Sequence, residues 1–209
     1  MKKKFAVLIL ATMLVLSSCG SESTSTSQST EKPKEISIEQ SSVPASTNEK
    51  DSTDEYLNKE IDIILYAYIW DDSGIDSYVE SLKESNPDGN YSVYNDEYYS
   101  MTITEGERLE FLEGFFDGAA LEEVFSTLKN DETYGGTILD IKYDDSFQNL
   151  EVYVDKEKYD ANKFVYSFGI GLILQSLSDT YQAYNLIMPA DRVIEIKIID
   201  NPTGKQITE

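Results

Sequence analysis

The chain has 209 residues, with 39 acidic against 17 basic side chains, no histidine and a single cysteine. Without histidine, Ser-His-Asp and Cys-His catalysis, imidazole acid–base work and the usual zinc and copper sites are excluded; one cysteine allows neither an internal disulfide nor a CxxC redox pair. A formal net charge of −22 argues against nucleic acid and anionic headgroups as partners, because both call for a basic face.

The N-terminus reads MKKKFAVLILATMLVLSSCG. Lys2, Lys3 and Lys4 precede an apolar run, Phe5 to Leu16, broken only by Thr12. That is the layout of a secretory signal. The run is too short for a bilayer-spanning helix, which takes roughly 20 residues. Leu16, Ser17, Ser18 and Cys19, followed by Gly20, resemble the bacterial lipobox. The resemblance implies that residues 1–18 are a cleaved signal peptide and that the Cys19 thiol carries diacylglycerol. It also implies that the chain is held by lipid on the extracytoplasmic face of the cell membrane. Two acyl chains anchor durably where one is marginal.

Residues 19–55 follow as a Ser/Thr-rich tether containing SESTSTSQSTEKPKE. With almost nothing apolar to bury, ordering entropy is not offset. A flexible coil of this length holds its domain roughly 30–35 Å from the anchor on average.

Residues 56–209 are long enough for a genuine core. EIDIILYAYIW (60–70) predicts a buried strand. Ser73 is placed to cap a helix with Ile75, Tyr78, Val79 and Leu82 on one face, ended by Pro87-Asp88-Gly89. YSVYNDEYYSMTIT (91–104) predicts strands folded about Asn95-Asp96. Thr104 and Glu107 form a capping-box pattern opening a helical segment with Leu109, Leu112, Phe116, Ala120, Val124 and Leu128 at helical steps. Gly114 and Gly118 predict a break near Asp117. Ile138–Tyr143 and Leu150–Val154 alternate as a hairpin. Asp160 is placed to cap a long helix whose period is carried by Phe164, Phe168, Leu172 and Leu177, and Val193 to Ile199 predicts a last strand before a Pro-Gly turn.

This order predicts a single α+β domain, a mostly antiparallel sheet with helices packed on one face. The strand–helix–strand succession occurs twice from Tyr98 onward. The stretch GTILDIKYDDSFQNLEVYVDKEKYD, then a helix and RVIEIKIIDNPTGK, resembles the GerMN domain of sporulation and germination lipoproteins. That resemblance implies an extracytoplasmic domain of accessory or binding type and supplies no catalytic residue.

The chemistry left open is carboxylate chemistry. Glu107, Glu110, Glu113 and Asp117 lie at helical spacing beside Phe111 and Phe115; paired acids of this kind could cleave a glycan if one carboxyl had a raised pKa. A solvated helix face is the simpler reading. Asp71, Asp72 and Asp76 crowd around Gly74, and Asp144-Asp145 form a second acidic pair, but neither has EF-hand spacing, so no metal and no cofactor is expected. Fifteen tyrosines are many, and Tyr94, Tyr98 and Tyr99 fall close together. Alternation puts Tyr94 and Tyr98 on one side of a strand and Tyr99 on the other. Exposed tyrosines among acids suit a cationic protein or peptide, or stacking on a cell-wall glycan. The reading is therefore a non-catalytic, membrane-anchored binding or accessory domain. Its alternatives are a cell-wall glycan hydrolase and an immunity-type lipoprotein that sequesters a cationic peptide.

Overall fold

The computed structural model describes residues 54–69, 73–131, 134 and 136–207. The signal sequence, Cys19, the tether and the Trp70-Asp71-Asp72 part of the acidic turn lie outside them.

Alternation makes the first strands. In β1 (Glu60–Tyr66) Ile63 and Leu65 turn inward, and in β3 (Tyr98–Thr104) Met101 and Ile103 do the same. β2 (Asn90–Val93) contributes Tyr91 to the same side. They form an antiparallel sheet of order β1-β3-β2. Helix α1 (Gly74–Ser85) lies between β1 and β2 in the chain, and the stripe expected of it is borne out, with Ile75 and Val79 buried and Tyr78 and Leu82 packed beside them. Ser73 holds the N-cap position in helical backbone and its side chain does not cap. β1 ends at Tyr66, short of Trp70. The turn between β2 and β3 is organised by Asn95, whose Oδ1 accepts from the backbone N–H groups of Glu97 and Tyr98.

The capping box forms as expected: the Thr104 hydroxyl accepts from Glu107 N–H, and the Glu107 carboxylate accepts from Thr104 N–H. It starts α2 (Glu105–Phe111), which runs into a π-helical turn, Leu112–Phe116, before α3 (Ala119–Asn130). The break near Asp117 is thus real. The backbone leaves the helix at Asp117 and is extended at Gly118, so α3 starts in a new phase: it buries Leu121, Phe125 and Leu128, while Ala120 and Val124 are only half-buried.

The hairpin β4 (Ile138–Tyr143) and β5 (Asn149–Val154) begins a second sheet, of order β4-β5-β6-β7, with β6 at Glu195–Asp200 and β7 at Lys205–Gln206. β5 and β6 are parallel, and the other pairings in both sheets are antiparallel. The domain is α+β, with its strands divided between two sheets. The two strand–helix–strand successions are consequently unlike: β3 to β4 passes from one sheet to the other, whereas β5 to β6 is a crossover within one.

That crossover consists of α4 (Lys156–Ala161) and α5 (Lys163–Tyr184). Asp155 caps α4 by accepting from Glu157 and Lys158 N–H. Asp160 sits inside α4, ion-paired to Lys156, so it does not cap the long helix; Asn162 holds that position. α5 is apolar around most of its circumference, and its inward stripe is Tyr166, Ile170, Leu174 and Leu177. Phe164 and Phe168, expected inside, point to solvent. Its last turns join the core of the three-stranded sheet through Ala183 and Tyr184.

Phe147, in the β4–β5 turn, ties these parts together. It is buried at a positive φ of 53°, a strained backbone for a bulky side chain. Its ring lies 4.3 Å from Tyr143, 4.6 Å from Tyr181 and 5.1 Å from Phe116 between centroids. Its carbonyl accepts from the Ser178 hydroxyl.

Candidate functional site

One face of the three-stranded sheet is covered by α1, Phe111 and Tyr184. By the same alternation, the other face carries Asp62, Ile64 and Tyr66 from β1, Tyr98, Ser100 and Thr102 from β3, and Asn90 and Ser92 from β2. The register sets these in rows: Tyr66 opposite Tyr98, Ile64 opposite Ser100 and Ser92, Asp62 opposite Thr102 and Asn90. This face is open. Its polar groups bond laterally, with Ser92 Oγ 2.8 Å from Ser100 Oγ and Thr102 Oγ1 donating to Asp62 Oδ1 at 2.7 Å.

The aromatic end of the face is built by cross-strand pairing. The Tyr66 ring meets Tyr98 edge-on at 5.3 Å and Tyr68 at 4.9 Å, within the range where such pairs attract beyond simple burial. Burial pushes the Tyr68 phenol up. It does the same to Tyr98, helped by the Asp179 charge and opposed by Arg192, so these phenols remain neutral donors at physiological pH.

Arg192 packs against this end. Its guanidinium donates to Asp179 Oδ1 at 2.8 Å, to Ile64 O at 2.6 Å and to Ile187 O at 3.0 Å, and lies 5.8 Å from the Tyr98 ring centroid. The Arg192 and Asp179 side chains are 4% and 10% exposed. The pair therefore joins α5, edge strand β1 and the loop before β6, and its charge is neutralised internally. Gln182 continues the seam by donating to Val193 O and accepting from Val193 N–H.

The three tyrosines singled out from the sequence separate. Tyr94 is 48% exposed and faces Tyr98 across the hairpin turn, its N–H donating to Tyr98 O. Both belong to the open side, on the two arms of the hairpin and not along one strand. Tyr99 takes the other side, among Tyr78 and Tyr91, where burial holds its phenol well above the usual range. Tyr66, Tyr68, Asp179 and Arg192 escaped sequence reasoning. The alternation of β1 carried a signal for Tyr66; the α5 and loop residues carried none, because the site forms only where Arg192 reaches Ile64 across 128 positions.

The carboxylates of α2 and the following π turn do not assemble a catalytic pair. Glu107, Glu110, Glu113 and Asp117 are exposed, and Glu107 is engaged in its capping box. The buried acid here is Glu105. Arg108 grips both its oxygens at 2.7 and 2.8 Å and Tyr56 donates to it at 2.8 Å. The Arg108 hydrogen bonds hold its carboxyl below the ordinary range, the reverse of what a general acid needs. Asp144 likewise serves the β4–β5 turn. Burial alone would raise its pKa, but hydrogen bonds from Asn149, Ser146 and Gln148 outweigh it and hold it at about 2. Among the described residues no three acidic or cysteine side chains converge as metal ligands would. A shallow, open depression runs along α3, lined by Glu123, Ser126, Thr127, Asn130 and Asp131; it is not a cleft that could exclude water. No described helix is long and apolar enough to cross a membrane.

No family model, no curated protein and no solved structure matches the chain.

Proposed function

We propose that this chain is a lipid-anchored, extracytoplasmic binding domain without catalytic function, and that it presents the open face of the three-stranded sheet to a cationic polypeptide segment. The anchor is Cys19 of the LSSC sequence, and the tether joins it to the domain.

The observation that carries the reading is the tyrosine end of the open face. Tyr66, Tyr68 and Tyr98 cluster there with the exposed Tyr94, Asp96 and Glu97 at the neighbouring turn and Asp62 two rows along. Tyrosine rings and carboxylates together attract ammonium and guanidinium groups. The guanidinium beside these rings, Arg192, is already neutralised by Asp179 and does not repel such a ligand.

Titrating the full chain with a fluorescent lysine- and arginine-rich peptide tests this. Anisotropy rises on binding. The affinity falls several-fold in the Tyr94→Ala and Asp62→Asn variants and weakens as salt shortens the screening length below about 8 Å. Binding that neither substitution alters would overturn the assignment to this face, and absence of binding would overturn the ligand class.

A further inference from the structure

Apolar side chains on the outward positions of a long helix ask what covers them. In α5 the inward stripe is complete without Phe164 and Phe168, which are 79% and 52% exposed. Their rings stack in parallel with centroids 5.8 Å apart, and one turn beyond Phe168 on the same side stand Gly171 and the half-buried Leu172. The electrostatic setting is as unusual as the exposure. From Lys163 to Ser178 the helix has no acidic residue, and the preceding segment from Asp155 to Lys163 balances three acids with three lysines. Residues 54–131, by contrast, hold 20 acidic side chains against four basic ones.

Size decides between a protein partner and a lipid surface. A phenylalanine side chain offers about 200 Å², so at these exposures the pair presents about 260 Å². A stable protein–protein interface takes roughly 800 Å² from each partner. A second copy meeting this patch would bury far too little. A bilayer needs no complementary surface: rings enter the headgroup–acyl boundary by about 5–10 Å, and a patch without net charge escapes the repulsion that the rest of the domain experiences. A tether of the length found here keeps the domain at high effective concentration over the membrane.

We propose that Phe164 and Phe168 form a membrane-contact patch that rests in the interfacial layer of the bilayer to which the chain is anchored. The inference depends on the lipid anchor at Cys19 proposed above. The patch and the tyrosine end of the open face lie near opposite ends of α5: Phe164 and Asp179 are separated by about 22 Å along the helix axis at 1.5 Å per residue. Contact through the first would leave the second clear of the lipid.

The test uses the mature full chain, lipidated at Cys19, in phosphatidylcholine vesicles. A nitroxide is attached through Gly171→Cys, where a β-carbon meets nothing within 4 Å; Cys19 is the only native cysteine, and its thiol is acylated. Collisions with dissolved oxygen should rise, and those with a water-soluble nickel chelate should fall, relative to the same label in a Phe164→Ser/Phe168→Ser background. Equal nickel accessibility in both backgrounds, with the protein still floating with the vesicles, overturns the contact and leaves the anchor standing. Spectral broadening that disappears on dilution with unlabelled protein assigns the patch to a second copy and overturns the contact as well. Failure to float with the vesicles overturns the anchor and the contact together.

Discussion

The two halves of α5 are built from the same kind of sequence and meet opposite fates. In the second half four polar side chains are bonded to other parts of the fold. Ser178 bonds Phe147 O, Asp179 bonds Arg192, Tyr181 donates to Asp145 O at 2.9 Å, and Gln182 clasps Val193. These bonds reach β1, the β4–β5 turn and the loop before β6, so this half is the seam between the two sheets. Among its described side chains the first half makes no such bonds, and it sets two phenylalanines in water instead. Buried polar groups fix a helix in one orientation because each unmade bond is costly. An apolar stripe alone would fit several rotations.

Substitutions can sharpen that contrast, and the largest effects belong to the seam. Arg192→Ala leaves the Asp179 carboxylate buried without its partner and Ile64 O without its donor. Breaking a buried pair costs about 3–5 kcal/mol, read as a lower urea midpoint at unchanged slope. Replacing both partners, Arg192→Met with Asp179→Leu, should recover much of that loss. Phenylalanines in the two regions should differ as sharply. Phe147→Ala removes a ring packed against three others and should cost about 3–5 kcal/mol, whereas Phe168→Ser should stay within about 0.5 kcal/mol in the same urea titration. The smallest expected effect is in the β4–β5 turn. Because the Asp144 carboxyl is held at about 2 in the fold, below its unfolded value near 3.9, its contribution is present above pH 4 and is lost as pH falls toward 2. For a partly exposed group about 1 kcal/mol is expected after screening. Asn149→Ala should flatten that part of the stability–pH curve.

Much of the local structure was legible because its causes are local. The Thr104–Glu107 capping box, the Asn95 turn, the Ile75/Val79 stripe and the β4–β5 alternation all lie within a few residues of their causes. Three features were not. The extended backbone at Gly118 restarts the helix, so the buried stripe of α3 falls on Leu121 and Phe125, and a fixed helical period does not anticipate a restart. α5 offered apolar residues on both sides, so periodicity selected Phe164 and Phe168 where burial selected Tyr166 and Ile170. The division into two sheets depends on where β3 and β4 find partners, a long-range matter that strand patterns do not encode. The same reason governs the candidate site. Tyr94 and Tyr98 could be picked out as neighbouring aromatics, but Arg192 reaches Ile64 across 128 positions.

Native-state hydrogen exchange on the full chain tests the division within α5 most directly. Amides from Ser178 to Tyr184 should exchange only through global unfolding, with protection equal to the unfolding free energy measured in urea. Those from Phe168 to Leu172 should exchange through local opening at a clearly lower free energy. Equal protection along the whole helix, or weaker protection in the second half, would contradict the account.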